Sequence, residues 1–107
     1  KDGCSIMKSI YEFTENGEEY SSLMKNALIG SAQPNLVMTL SGGRDVAHKY
    51  GWDYGSYHDI GIVYDEHPYA VAVFSDYDGF NSDQVSYMQK LLRLVDELHN
   101  AYYDGVR

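Results

Sequence analysis

The stretch that decides the fold starts at Val46-Ala47-His48-Lys49-Tyr50-Gly51-Trp52. It continues through Tyr54-Gly55-Ser56-Tyr57-His58-Asp59-Ile60-Gly61-Ile62-Val63-Tyr64 to Pro68-Tyr69-Ala70-Val71-Ala72-Val73-Phe74-Ser75. β-Branched and aromatic residues dominate it, and turn formers punctuate it. The pattern predicts strands over 46–50, 59–64 and 69–75, with a Gly- and Tyr-rich link over 51–57 and a turn at Asp65-Glu66-His67-Pro68. Links this short allow only antiparallel pairing, so the strands form a meander. The third strand alternates: Tyr69, Val71 and Val73 share one face, Ala70, Ala72 and Phe74 the other. The small residues of the second face leave room for a closely packed helix, and the C-terminal helix is the expected occupant.

That helix is written after the strands. Asn81 and Gln84 stand at capping-box spacing. Val85, Met88, Leu91, Leu92, Val95, Leu98 and Tyr102 then form a continuous apolar stripe, and Gly105 stops it. Such a stripe requires a broad surface to pack on, and the sheet is the expected one. Two more helices are predicted before the strands. In the first, Ile6, Ile10 and Phe13 recur at helical spacing, widened by Met7 and Tyr11, with Asp2 or Ser5 as cap and Asn16-Gly17 as breaker. The second is expected from Glu18 to about Ile29, with Tyr20, Leu23, Met24, Ala27 and Leu28 as its apolar positions and Gly30 at its end. Pro34 and Ser41-Gly42-Gly43 mark loop, and Leu36-Val37-Met38 reads as a loop that tucks into the core or as one short strand. The fold class is therefore α+β: a three-stranded antiparallel meander with two N-terminal helices and a long C-terminal helix packed on the sheet.

At 107 residues the chain is one domain. Acidic residues outnumber basic ones 16 to 8, a formal charge of -8, which argues against a nucleic-acid partner. No apolar run is long enough for a membrane span, and Lys1-Asp2-Gly3-Cys4 lacks the apolar core of a signal peptide. The single cysteine, Cys4, excludes an internal disulfide. The eleven tyrosines read as half-buried sheet residues with solvated hydroxyls.

The strand–turn–strand run resembles the C-terminal portion of the serine β-lactamase and penicillin-binding-protein superfamily, in particular its class A-like β-lactamases. In that family one strand carries Lys-Thr-Gly and an Asn-Asp or His-Asp pair opens the next. A Pro-led apolar strand and a long terminal helix complete the domain. Lys49-Tyr50-Gly51 stands in the first place and His58-Asp59 in the second. The resemblance covers essentially all of 1–107 and makes the chain the C-terminal segment of a larger domain. It implies acyl-enzyme hydrolysis of a β-lactam or a peptidoglycan peptide, without metal or cofactor, in an extracytoplasmic bacterial protein. Lys49, Tyr50 and Gly51 are the implied substrate-binding residues: the ammonium for a carboxylate, the strand for an extended substrate. Tyr50 departs from the family's Thr or Ser, which puts the hydroxyl contact at that position in doubt. Taken alone, Lys49 is a solvated strand lysine, His58 a turn histidine, and Asp59 a residue that holds the strand turn by hydrogen bonds.

The family nucleophile lies in Ser-x-x-Lys. Two matches exist, Ser5-Ile6-Met7-Lys8 and Ser22-Leu23-Met24-Lys25, but both lie too near Lys49, and no Ser-x-Asn or Tyr-x-Asn accompanies them. Neither serine is expected to be catalytic, so the chain is expected to supply one wall of a site and to lack the nucleophile. In the family, N-terminal strands flank the last strand of this segment. The edge of 69–75 is therefore expected to pair with another copy or with the missing N-terminal portion. Two metal readings fail on spacing. Asp76, Asp78, Asn81 and Asp83 lack the Gly and Glu positions of a calcium loop, and His48, His58, His67 and His99 have no zinc spacing. The competing class of function is a non-catalytic module whose Tyr-rich face binds a peptide or glycan.

Overall fold

The computed structural model describes residues 1–30, 36–76 and 81–105. Its elements are α1 (Asp2–Glu15), α2 (Ser21–Ile29), a 3₁₀ helix η1 (Val37–Leu40), β1 (Asp45–Asp53), β2 (Ser56–Tyr64), β3 (Tyr69–Ser75) and α3 (Ser82–Gly105). The strands form one antiparallel sheet in the order β1-β2-β3, which is the expected α+β meander. Beyond the expected strands, β1 runs on to Asp53 and β2 begins at Ser56. The segment 51–57 is therefore a tight hairpin rather than a link. Only Tyr54-Gly55 lies between the strands, and the ladder closes through Asp53 opposite Ser56.

Two apolar layers cover the sheet, one on each face. Ala47, Ile60, Ile62 and Ala70 pack against Met7, Ile10 and Tyr11 of α1 and Leu28 and Ile29 of α2. On the opposite face Val46, Tyr57, Val63 and Val71 pack with Leu36, Val37 and Leu40 around η1 and with Met88 and Leu92 of α3. The small-residue face of β3 thus receives α1, not α3. Gly3 makes the approach possible, because a Cβ there would stand 2.9 Å from the Cβ of Ala72 and 3.1 Å from the Phe74 ring. The same fit turns α1, so Gly3, Met7 and Thr14 are its buried residues while Ile6 is exposed.

In α2 the apolar pattern misleads. The helix begins at Ser21 after Tyr20, which holds φ 70°, and Tyr20 and Leu23 are both exposed. Ser21 is the buried residue, its hydroxyl donating to the Phe13 carbonyl at 2.8 Å. This caps the end of α1 and fixes the corner between the two helices. Leu36-Val37-Met38 does tuck into the core, with Leu36 and Val37 fully buried, and its backbone is 3₁₀. Asn81 caps α3 by accepting the Gln84 N–H at 3.1 Å.

α3 packs on the sheet with only part of its stripe. Met88 and Leu92 are buried, whereas Leu91, Val95, Leu98 and Tyr102 remain 45–65% exposed. The inner face instead continues through Asp96, His99 and Tyr103, which meet the sheet end through polar and aromatic contacts. No helix among the described residues is long and apolar enough to cross a membrane.

Gly61 is the tightest point between β2 and η1. A Cβ there would stand 2.7 Å from Val37 Cγ1 and 2.8 Å from the Ala47 carbonyl oxygen. Gly61→Ala is expected to cost about 2 kcal/mol or more through overpacking. Gly51→Ala, which meets nothing within 4 Å, is expected to stay within about 0.5 kcal/mol of the wild type. Urea denaturation of both variants checks the contrast.

Candidate functional site

The hairpin register brings the two sequence motifs side by side. Across β1 and β2, Tyr50 stands opposite Asp59 and Gly51 opposite His58. β1 is an outer strand, and no strand among the described residues pairs with its other edge. Lys49 is exposed there. Its ammonium donates to the Tyr50 carbonyl at 2.7 Å and lies 4.9 Å from the Tyr50 ring centroid. Gly51 faces open space, so a second extended chain meets no side chain at that position. Trp52 sits between Tyr50 and Tyr57, its ring centroid 6.4 and 5.8 Å from theirs, and Tyr54 at the hairpin tip is almost fully exposed. Burial raises the Tyr57 hydroxyl to a pKa of about 12, with the Asp59 charge adding to the effect.

Asp59 and His58 have separate roles, set by the alternation of the strand. Asp59 points into the η1 layer and is fully buried with His48. The His48 Nδ1 lies 3.0 and 3.2 Å from the two Asp59 carboxylate oxygens, and Oδ2 also accepts the Val37 N–H at 3.0 Å. A carboxylate only accepts, so His48 Nδ1 carries the proton. Both side chains are buried from solvent, and the pair pins β1, β2 and η1 together. Asp59 holds structure by hydrogen bonds, as its sequence context suggests, but from the middle of a ladder and not at a turn. His58 lies on the other face, where Nδ1 accepts the Ser75 N–H at 3.1 Å and the ring packs 5.2 Å from Phe74.

Sequence reasoning missed His48. The signal was present in the register: His48 faces Gly61, two pairing steps from Tyr50 opposite Asp59 and so on the same face. That places the imidazole diagonal to the carboxylate, with no side chain opposite to block it. It could be read only once the two-residue turn at Tyr54-Gly55 was known.

Neither Ser-x-x-Lys match forms a nucleophile–base pair. The Ser5 hydroxyl donates to the Lys1 carbonyl at 3.1 Å, while Lys8 sits 3.8 Å from Glu12. Lys25 pairs with Glu15 at 2.7 Å and lies over the Tyr64 ring, and Ser22 is exposed. Among the described residues no group of three His, Cys, Asp or Glu side chains comes together to hold a metal ion. Of the acidic loop before α3, Asp78 lies outside the described residues.

A second polar cluster ties the other end of the sheet to α3. Arg44 donates to both Asp96 oxygens at 3.0 Å and to Asp65 at 2.9 Å, and the Tyr69 hydroxyl donates to Asp96 at 2.7 Å. Burial pushes the Asp96 carboxyl up, but the hydrogen bonds from Arg44 and Tyr69 outweigh it and leave its pKa below the ordinary value. Beside this cluster Asp65, Glu66, His67, Asn100, Tyr103 and Asp104 line an open cleft of about 390 Å³, in which His67 stacks on Tyr103 at 3.8 Å.

A sequence model of the Beta-lactamase enzyme family matches residues 1–98, and the chain belongs to that family. No curated protein matches the chain.

Asp59→Ala leaves His48 and the Val37 N–H buried without their shared acceptor. It is expected to cost about 3–5 kcal/mol and to loosen η1, measured by denaturant unfolding and by amide exchange at Val37. Asp96 is expected to shape the acid limb. Its lowered carboxyl contributes stability that is complete above about pH 4, the ordinary Asp value, and is lost as pH falls through the lower folded value. The wild type is therefore expected to exceed Asp96→Asn in thermal midpoint at pH 5–7, and the gap is expected to narrow as the pH falls below the ordinary Asp value and through the lower folded one.

Proposed function

We propose that this chain forms one wall of the acyl-transfer site of an extracytoplasmic serine β-lactamase-like hydrolase, with Lys49, Tyr50 and Gly51 binding a β-lactam or a peptidoglycan peptide. The observation that carries this reading is the exposed Lys49-Tyr50-Gly51 edge of β1, with open space at Gly51 and a lysine held by one local hydrogen bond. In this role the Lys49 ammonium leaves the Tyr50 carbonyl and pairs with the substrate carboxylate, while the free β1 edge pairs with the extended substrate backbone. Tyr50 replaces the small hydroxyl residue of the family, so its phenol contacts the ligand further from the strand. The nucleophile comes from residues other than Ser5 and Ser22, on a portion of the protein that faces Lys49 across the outer edge of β1.

Intact-mass analysis of the protein after incubation with a reporter penicillin tests the nucleophile assignment. The mass is expected to be unchanged; a stoichiometric acyl adduct on Ser5 or Ser22 would overturn it. Ligand titration followed by amide NMR tests the edge. A penicillin or a D-alanyl-D-alanine peptide is expected to shift β1 amides, and Lys49→Ala is expected to weaken binding about tenfold. Binding of a glycan fragment at Tyr50, Trp52 and Tyr54, indifferent to Lys49→Ala, would instead favour the non-catalytic module.

A further inference from the structure

The corner between α1 and α2 is built on Asn16-Gly17, the one Asn-Gly pair in the sequence. Asn16 ends α1, and its Oδ1 accepts the Glu18 N–H at 2.9 Å in an Asx turn. The Ser21 hydroxyl stands 3.0 Å from the same oxygen and 2.8 Å from the Phe13 carbonyl, so its single proton serves both in turn. Gly17 holds φ +75°, and a Cβ there would meet nothing within 4 Å. Both residues of the pair are exposed. The Gly17 N–H donates to no group among the described residues. A side-chain amide next to a backbone nitrogen that has no hydrogen bond and no flanking side chain, in contact with water, is the setting for an intramolecular acyl transfer. The other described asparagines lack part of it. Asn26 and Asn100 lie inside α2 and α3, where the next backbone N–H is tied into the helix ladder. Asn81 caps α3 and is followed by Ser82, not by glycine.

We propose that Asn16 is a self-modification site, at which the chain converts its own side-chain amide to isoaspartate and aspartate. The Gly17 nitrogen loses its proton to a base in water and attacks Asn16 Cγ. A C–N bond forms, the Cγ–Nδ2 bond breaks, and the leaving nitrogen takes up a proton and departs as ammonia. Water, the only co-reactant, then opens the cyclic imide. Opening at Cγ gives aspartate. Opening at the Asn16 main-chain carbonyl carbon reroutes the backbone through Cβ and Cγ and gives isoaspartate. The fold sets the pace of this chemistry. Asn16 holds ψ -7°, and the ring closes only when that bond turns and brings the Gly17 nitrogen onto Cγ. The Glu18 and Ser21 contacts to Oδ1 oppose the turn, so the corner opens first, as an exposed loop with few packed neighbours does. The product does not rebuild the corner. In isoaspartate the Cγ carbonyl belongs to a lengthened main chain, and the Asx turn is gone. Both helices that meet here rest on Ala47 and Ile62, so the change loosens the layer under β1 and β2.

The test is to age the purified full chain in mildly alkaline buffer, then map its peptides by mass and label it with a protein-isoaspartate methyltransferase. The peptide carrying Asn16 is expected to gain the mass difference between a carboxamide and a carboxylic acid and to accept a methyl group. Peptides carrying Asn26, Asn81 and Asn100 are expected to keep their amides. Asn16→Gln, which would have to close a larger ring, is expected to lose both signals. Ser21→Ala, verified as folded by circular dichroism, is expected to convert about fivefold faster, because one restraint on Oδ1 is gone. The isoaspartate fraction, separated by ion exchange, is expected to melt at a lower temperature than the unaged chain. A chain that keeps its Asn16 amide in buffer, whether or not urea releases the reaction, would overturn the proposal. Conversion spread evenly over the asparagines would overturn it in favour of chemistry in the unfolded chain. A rate indifferent to Ser21→Ala would overturn it too, since the corner would then not govern the reaction.

Discussion

The buried Asp59 carboxylate is the constraint on which the rest depends. A charge removed from water must find partners in place, and here they come from two other elements: the His48 imidazole of β1 and the Val37 N–H of η1. The carboxylate therefore fixes more than a contact. It sets the stagger of β1 against β2 and pins the irregular segment before β1 to the sheet. A slip of one residue would turn His48 to the opposite face and leave the carboxylate buried and unpaired. Gly61 supplies the remaining condition, since any side chain there would collide with Val37 of η1 and with Ala47 and His48 of β1.

This constraint divides the sheet into two unlike faces. On the η1 side, burial is combined with specific polar pairing. On the α1 side it is nearly all apolar, and closeness is obtained from small residues, Gly3 against Ala72 and Met7 against Ala47 and Ile62. α3 is divided in the same way. Its inner side changes from apolar at Met88 and Leu92 to polar at Asp96 and His99. The Arg44–Asp96 pair thus clamps the C-terminal half of the helix where hydrophobic packing runs out, while Leu91, Leu94 and Leu98 on the outer side stay exposed.

Much of this architecture was legible in the residues. The period-two alternation of β3 and the Asn81 cap of α3 were readable because each depends on local geometry. The resemblance rested on Lys49-Tyr50-Gly51 and His58-Asp59 in sequence, and the ladder sets Tyr50 and Gly51 directly across from that pair. What escaped was non-local. An apolar stripe does not say which half of it is covered, so Leu91 and Leu98 read as core from the sequence although both are exposed. Small residues on β3 announced a close helix without saying which one, and Gly3 identifies α1 only once the two are seen together. His48 looked like any strand residue because its partner is eleven residues away and diagonal across the ladder.

The placement of polar groups bears on how the edge can work. The residues that hold the fold, His48, Asp59, Arg44 and Asp96, are committed to buried or half-buried partners and lie on the η1 and α3 side of the sheet. Lys49 projects to the opposite face at the margin of β1 and keeps one bond, to a backbone carbonyl that water can serve equally well. Turning its ammonium toward a ligand carboxylate exchanges one solvent-exposed hydrogen bond for a charge-assisted one and disturbs nothing in the core. A Cβ at Gly51 would meet nothing within 4 Å, so the sheet face beside this edge is open. On the proposed reading, the ladder supplies fixed geometry to an extended anionic ligand and only the lysine has to move.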